Sequence, residues 1–222
     1  TGTAGADAAA KYIKREFNQI GLESVGAHLF AVPVRRHTQS SLTVSAANRT
    51  SELKPFVGNA ISPATVASKG IRGPLIYVGP GELADLNGKN IQGAIVLMEL
   101  DSGKNWLTAA NYGAQALIYL ERQESPKFLY SEKFELTPIQ FPRFWMPKGQ
   151  ARELFGEFEK APLGVVSNEV VLQSKIRWEE VNGQNIYGLI PGTDDTMAEE
   201  RIVIEAFYDS TMIIPGRSPG AD

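Results

Sequence analysis

Ala9, Ile13, Phe17 and Ile20 recur at spacings of four, four and three, a period that puts them on one face of a helix from about Ala6 to Ile20. Gly21 is a natural stop, Thr3 can cap the first turn, and Asp7 sits where the helix dipole favours an acid. The following stretch, HLFAVPVRRHTQSSLTVSA, has strand-like content broken by Pro33 and by polar residues, and predicts one or two extended segments. From about residue 70 the pattern changes to short apolar runs between turn residues. GPLIYVG and GAIVLME each have the length of a buried strand. NWLTAANYGA then places Trp106, Ala109, Ala110 and Gly113 at helical spacing, and QALIYLE follows as another buried strand. QARELFGEFEK predicts a helix with Ala151, Leu154, Phe155 and Phe158 on its apolar face, ahead of long, partly alternating strands in GVVSNEVVLQSKIRWEEV.

The last stretch differs. GQNIYGLIPG and ERIVIEAFYDS are apolar runs joined by the polar loop TDDTMAEE, as expected of central strands covered on both faces. The amphipathic first helix needs such a sheet to pack on. The predicted fold class is therefore α/β: residues 1–38 and 183–222 form one sheet domain, interrupted by a mixed α+β unit at 39–182. The second run delivers an acid, Asp209, at its end, and the carboxyl ends of strands in an α/β sheet are where ligands usually sit.

Composition narrows the function. At 222 residues with 43% hydrophobic positions, the chain can bury one large core or two smaller ones. A net charge of -3 without any block of like charge leaves no footprint for nucleic acid or an anionic membrane surface. No apolar run reaches the length of a transmembrane helix, and no signal peptide is present in this stretch. The absence of cysteine excludes disulfides, thiolate zinc sites and a thiol nucleophile. VGPGELADLNGK lacks the spacing of a phosphate loop and reads as turns. Trp106, Phe141, Phe144 and Trp145 read as packing residues. His28 and His37 belong to no ligand-spaced cluster, and Asn48, Arg49 and Thr50 form a glycosylation sequon.

TGTAGADAAAKYIKREFNQIGLE, NIYGLIPG, IVIEAFYDS and the terminal PGAD, in that order and spacing, resemble the first half of the co-catalytic zinc aminopeptidases, the family of glutamate carboxypeptidase and the transferrin receptor. The segment from GPLIYVG to QALIYL resembles the protease-associated (PA) domain inserted in many members. The resemblance implies zinc as the family's cofactor and a His-x-Asp pair at the end of the 202–206 strand, whose acid orients a zinc-bound histidine. Asp209 matches that acid, but the histidine position holds Phe207, which has no lone pair for a metal. Asp222 matches the metal-bridging aspartate, and the other ligands and the glutamate base are expected beyond it. The plainer reading of Asp209 is a strand-end acid that accepts backbone hydrogen bonds.

Two functions follow from the resemblance. The preferred one is non-catalytic, a peptidase-like scaffold with a PA domain that binds protein or peptide and holds no cofactor within these residues. The alternative is a zinc-dependent aminopeptidase or carboxypeptidase completed by downstream residues. By resemblance the chain is extracytoplasmic. Its apolar sheet edge favours self-association.

Overall fold

The computed structural model describes residues 2–56, 66–121, 125–126, 128–133, 140–197, 199–208 and 214. The fold is α/β with a mixed sheet, and the chain divides into two compact units. One comprises Thr1–Arg36, Trp178–Thr211 and Pro219–Asp222, the other His37–Arg177 and Met212–Ser218.

In the first unit, helix α1 (Ala4–Gln19) begins where Thr3 Oγ1 accepts from the Ala6 amide at 3.2 Å, and Asp7 stands in its first turn. Gly21, at φ +82°, ends it in a conformation that favours glycine. Ala10 is its one buried residue; Ala9, Ile13 and Phe17 are half-buried, and Ile20 is exposed. Strand β1 (Glu23–Val44) then runs through Pro33 without a break. The expected interruption is absent for a physical reason: β1 has β8 on one side, and among the described residues β2 pairs with residues 41–44 on the other, leaving Pro33 without a described strand partner there for its missing N–H. The partner, β8 (Gly164–Leu189), lies antiparallel: Gly26 faces Tyr187, and Gly183 faces Phe30. Gly188 has functional size rather than conformational freedom, since a Cβ there would meet Leu22 and Phe17. Arg36 pairs with Glu179 and donates Nη2–H to the Gly2 carbonyl at 2.5 Å.

The second unit holds residues 37–44 of β1, residues 164–177 of β8 and the remaining strands: β2 (Arg49–Glu52), β3 (Lys54–Pro55), β4 (Ile71–Tyr77), β5 (Ile95–Glu99), β6 (Ala116–Glu121) and β7 (Arg143–Pro147). The sheet order is β2-β1-β8-β4-β5-β6-β7-β3. Strands β4 to β7 are mutually parallel, whereas β8 and β3 flank them antiparallel. Their side chains alternate between two cores. Val96, Met98, Leu117, Tyr119 and Trp145 face one side, where α3 (Trp106–Asn111) brings Trp106 and Ala109. Ile95, Leu97, Ile118, Leu120 and Phe144 face the other, where α5 (Lys148–Phe155) brings Ala151. Near-continuous apolar runs are what a parallel sheet covered on both faces requires. Two single-turn helices complete the unit, α2 (Leu83–Leu86) and α4 (Phe128–Ser131). Trp106, Phe141, Phe144 and Trp145 are all buried, as packing residues should be.

Two expectations are corrected. GQNIYGLIPG is not a separate strand, because β8 continues unbroken from Gly164 to Leu189. The run at 202–206 is not a buried central strand: 201–208 have no regular secondary structure, and Ile202, Val203 and Ile204 are 94%, 75% and 92% exposed. An apolar run of that kind needs strands beside it and layers above and below it, and no described residue supplies them.

Candidate functional site

Asp209 and Asp222 lie outside the described residues. Their neighbour Phe207 is 98% exposed, and Tyr208 is half-buried with its hydroxyl donating to the Gln184 carbonyl at 2.7 Å. His28 is exposed and stacks on Phe30, with ring centroids 6.0 Å apart. His37 is half-buried in the other unit. Among the described residues, no group of three or more His, Asp or Glu side chains comes together as a metal site. Phe207, where the resemblance implies a zinc-binding histidine, has no N, O or S donor to offer zinc.

The sequence contained the same strand-end signal twice more. IVLME and ALIYLE finish β5 and β6 on acids, Glu99 and Glu121, and both are buried at the carboxyl ends of parallel strands. Glu99 accepts from the Tyr77 hydroxyl at 2.6 Å and from Lys148 Nζ at 2.9 Å. Lys148 reaches Glu159 at the same 2.9 Å, and Arg152 grips Glu159 through Nε and Nη2 at 2.9 and 3.1 Å. Two carboxylates and two cations thus neutralise each other and tie α5 to the sheet. Glu121 accepts from the Tyr130 hydroxyl. Carboxylates occupied in this way hold structure together; they are poorly placed to receive a substrate proton.

On the other face, Arg143 lies over the Trp106 ring at 3.9 Å and near the Phe56 ring at 5.6 Å, and donates Nη1–H to the Lys133 carbonyl at 2.8 Å. The Lys133 side chain has no exposed surface; its ammonium pairs with Glu132 at 2.5 Å and sits 5.8 Å from the Tyr119 ring centre. Burial lowers the Lys133 pKa, with Glu132 opposing the shift. Burial raises that of Tyr119, with Arg143 opposing. The Tyr119 and Ser102 hydroxyls and the Trp106 indole N–H have no hydrogen-bond partner among the described residues. The assembly is a closed cation–π stack, worth packing energy rather than access.

One open feature of this unit is a depression of about 820 Å³ over the turn from α2 to β5, flanked by Leu83 and Tyr112. A smaller one of about 450 Å³ lies by Val44 and Phe155. No described helix is long and apolar enough to cross a membrane.

No family model matches the chain, and no curated protein does. The solved structures similar in fold include two peptidases. An aminopeptidase from Aneurinibacillus sp. strain AM-1 is 18% identical with a TM-score of 0.50, the match covering 87% of this chain and 45% of that one. A peptidase M28 precursor from Shewanella amazonensis SB2B is 14% identical with a TM-score of 0.52, covering 84% of this chain and 45% of that one. The chain therefore spans less than half the length of either.

Proposed function

We propose that this chain puts a peptidase-like fold to use in binding protein or peptide, without catalysis, and that residues 39–182 serve as its PA domain. Phe207 carries the reading: it stands where the resemblance implies a zinc-binding histidine, and it has nothing to donate to a metal. The fold likeness to an aminopeptidase and to a peptidase M28 precursor supports the scaffold half of the proposal. Fold and activity separate readily, so the likeness does not carry hydrolysis with it. We place the chain outside the cytoplasm by the same resemblance; one neighbour is itself a precursor.

The test uses the full-length protein with excess zinc, aminoacyl anilides and a random pentapeptide pool. Saturable peptide binding without turnover is the expected result. Turnover that a chelator abolishes would establish the zinc exopeptidase instead.

A second reading rests on a separate observation. Ile202, Val203, Ile204 and Phe207 expose an apolar run of a kind that seeks cover. We propose that this run associates with a second copy of the chain, which light scattering across a concentration series would detect as a dimer.

A further inference from the structure

The chain has two Asn-Gly pairs, Asn87–Gly88 and Asn182–Gly183, and the fold treats them differently. At such a pair the backbone nitrogen of the glycine can attack the asparagine side-chain carbonyl, because glycine has no Cβ to obstruct the approach. The approach also requires the rigid peptide plane between the two residues to turn about the asparagine Cα–C bond. Local structure decides whether it can.

Asn87 and Gly88 are the central residues of a type II turn: Asn87 has φ -58° and ψ 133°, Gly88 has φ +69°, and the Lys89 amide donates to the Leu86 carbonyl at 3.1 Å. That bond closes the turn and leaves the peptide between Asn87 and Gly88 outside it. Among the described residues, neither the Asn87 carbonyl nor the Gly88 amide has a hydrogen bond. Both residues are exposed, and nothing lies within 4 Å of the space a Gly88 Cβ would occupy. The plane can therefore turn without breaking a contact. Asn182–Gly183 is the reverse case. Gly183 is buried within β8, whose extended backbone pairs with β1, and the Phe30 ring stands 2.8 Å from where its Cβ would be. Turning that plane would disrupt the pairing.

We propose that Asn87 is a site of spontaneous backbone modification, converting through a succinimide to isoaspartate and aspartate, while the fold keeps Asn182 intact. The Gly88 nitrogen gives up its proton and bonds to Asn87 Cγ; the Cγ–Nδ2 bond breaks, and the side-chain nitrogen leaves with that proton as ammonia. Water then opens the ring. Addition at Cγ restores the ordinary main chain and gives aspartate, and addition at the main-chain carbonyl gives isoaspartate. Nothing is oxidised or reduced. Either product puts a new carboxylate directly after Leu86, which is 5% exposed, and isoaspartate lengthens the main chain there by one methylene.

The test ages the full-length protein in sterile, mildly alkaline buffer and follows both pairs by peptide mapping with mass spectrometry. Isoaspartate is identified on each peptide by protein isoaspartyl methyltransferase and labelled S-adenosylmethionine. Asn87 should convert, and Asn182 should convert at least about tenfold more slowly, because about two ladder hydrogen bonds must open first. In urea the two pairs should convert at similar rates. Asn87→Gln should leave its peptide unmodified, since the longer side chain closes a larger and less accessible ring; the position is exposed, so circular dichroism and Tm should match the wild type. Equal conversion of both pairs in the native protein would overturn the proposal, as would the same disparity between them in urea. So would an Asn87 that stays intact in the native protein while the urea-unfolded protein converts, or a methyl label on that peptide that Asn87→Gln leaves unchanged.

Discussion

Lys148 is the keystone of the network at the strand ends, and Lys148→Met isolates its charge while keeping most of its stem. In the wild type the ammonium stands 2.9 Å from both Glu99 and Glu159, and all three side chains are only 11–15% exposed. Removing one partner of a buried pair typically costs about 3–5 kcal/mol, because the orphaned charge stays behind. Here the loss is cushioned. Glu99 retains the Tyr77 hydroxyl at 2.6 Å, and Glu159 retains two hydrogen bonds from Arg152. Because both acids keep charge-assisted partners, the expected destabilisation lies at the low end of that range, about 2–3 kcal/mol. Glu99→Gln added to Lys148→Met should recover about 1–2 kcal/mol, since a neutral amide still accepts from Tyr77 and no carboxylate remains unpaired there. Urea unfolding followed by tryptophan fluorescence provides the assay, since Trp106 and Trp145 are buried in this unit. A shift in Cm at constant m reports the energy. A cost below about 0.5 kcal/mol for Lys148→Met would refute the reasoning, because that is the scale of a solvated pair.

Other outcomes follow from the same structure. The Tyr119 pKa is raised from 10.0, so the folded state holds the phenol neutral while the unfolded chain ionises; stability should fall as pH rises above 10, and Tyr119→Phe should flatten that slope. Lys133 gives the opposite sign: its folded pKa lies below 10.5, so stability should rise with pH up to 10.5, and Lys133→Met should remove the rise. Gly188→Ala would bring a Cβ to 2.9 Å from Leu22 Cδ1 and 3.0 Å from its Cβ, costing about 1–3 kcal/mol in overpacking and lowering the Tm. Phe207→Ser, at a side chain 98% exposed, should change stability by no more than about 0.5 kcal/mol while reducing any self-association seen by light scattering.

Periodicity made much of the fold legible. The runs that became β4, β5 and β6 and the helical spacing of α1, α3 and α5 stand in the sequence because each element packs a face whose period is its own. β1 and β8 were harder to read. Pro33 and the polar residues of HLFAVPVRRHTQSSLTVSA look like breaks, yet a strand with an open edge and half-buried residues tolerates both. The run at 202–206 misled in the other direction, since apolar composition states what a segment needs and does not supply the neighbours that would meet the need.

The candidate site was less legible than the fold, and strand-end acids show why. IVLME, ALIYLE and IVIEAFYD share one pattern, an apolar run closing on a carboxylate. Glu99 meets donors from distant parts of the chain, Tyr77 22 residues and Lys148 49 residues away, whereas Glu121 meets Tyr130 nine residues on. Whether such a carboxylate is structural or chemical is decided by those donors. Once tyrosine and lysine donors engage it, the carboxylate holds two elements together; in an open cleft with few donors, it can orient a ligand or carry a proton. Sequence order reveals the acid and hides the donors.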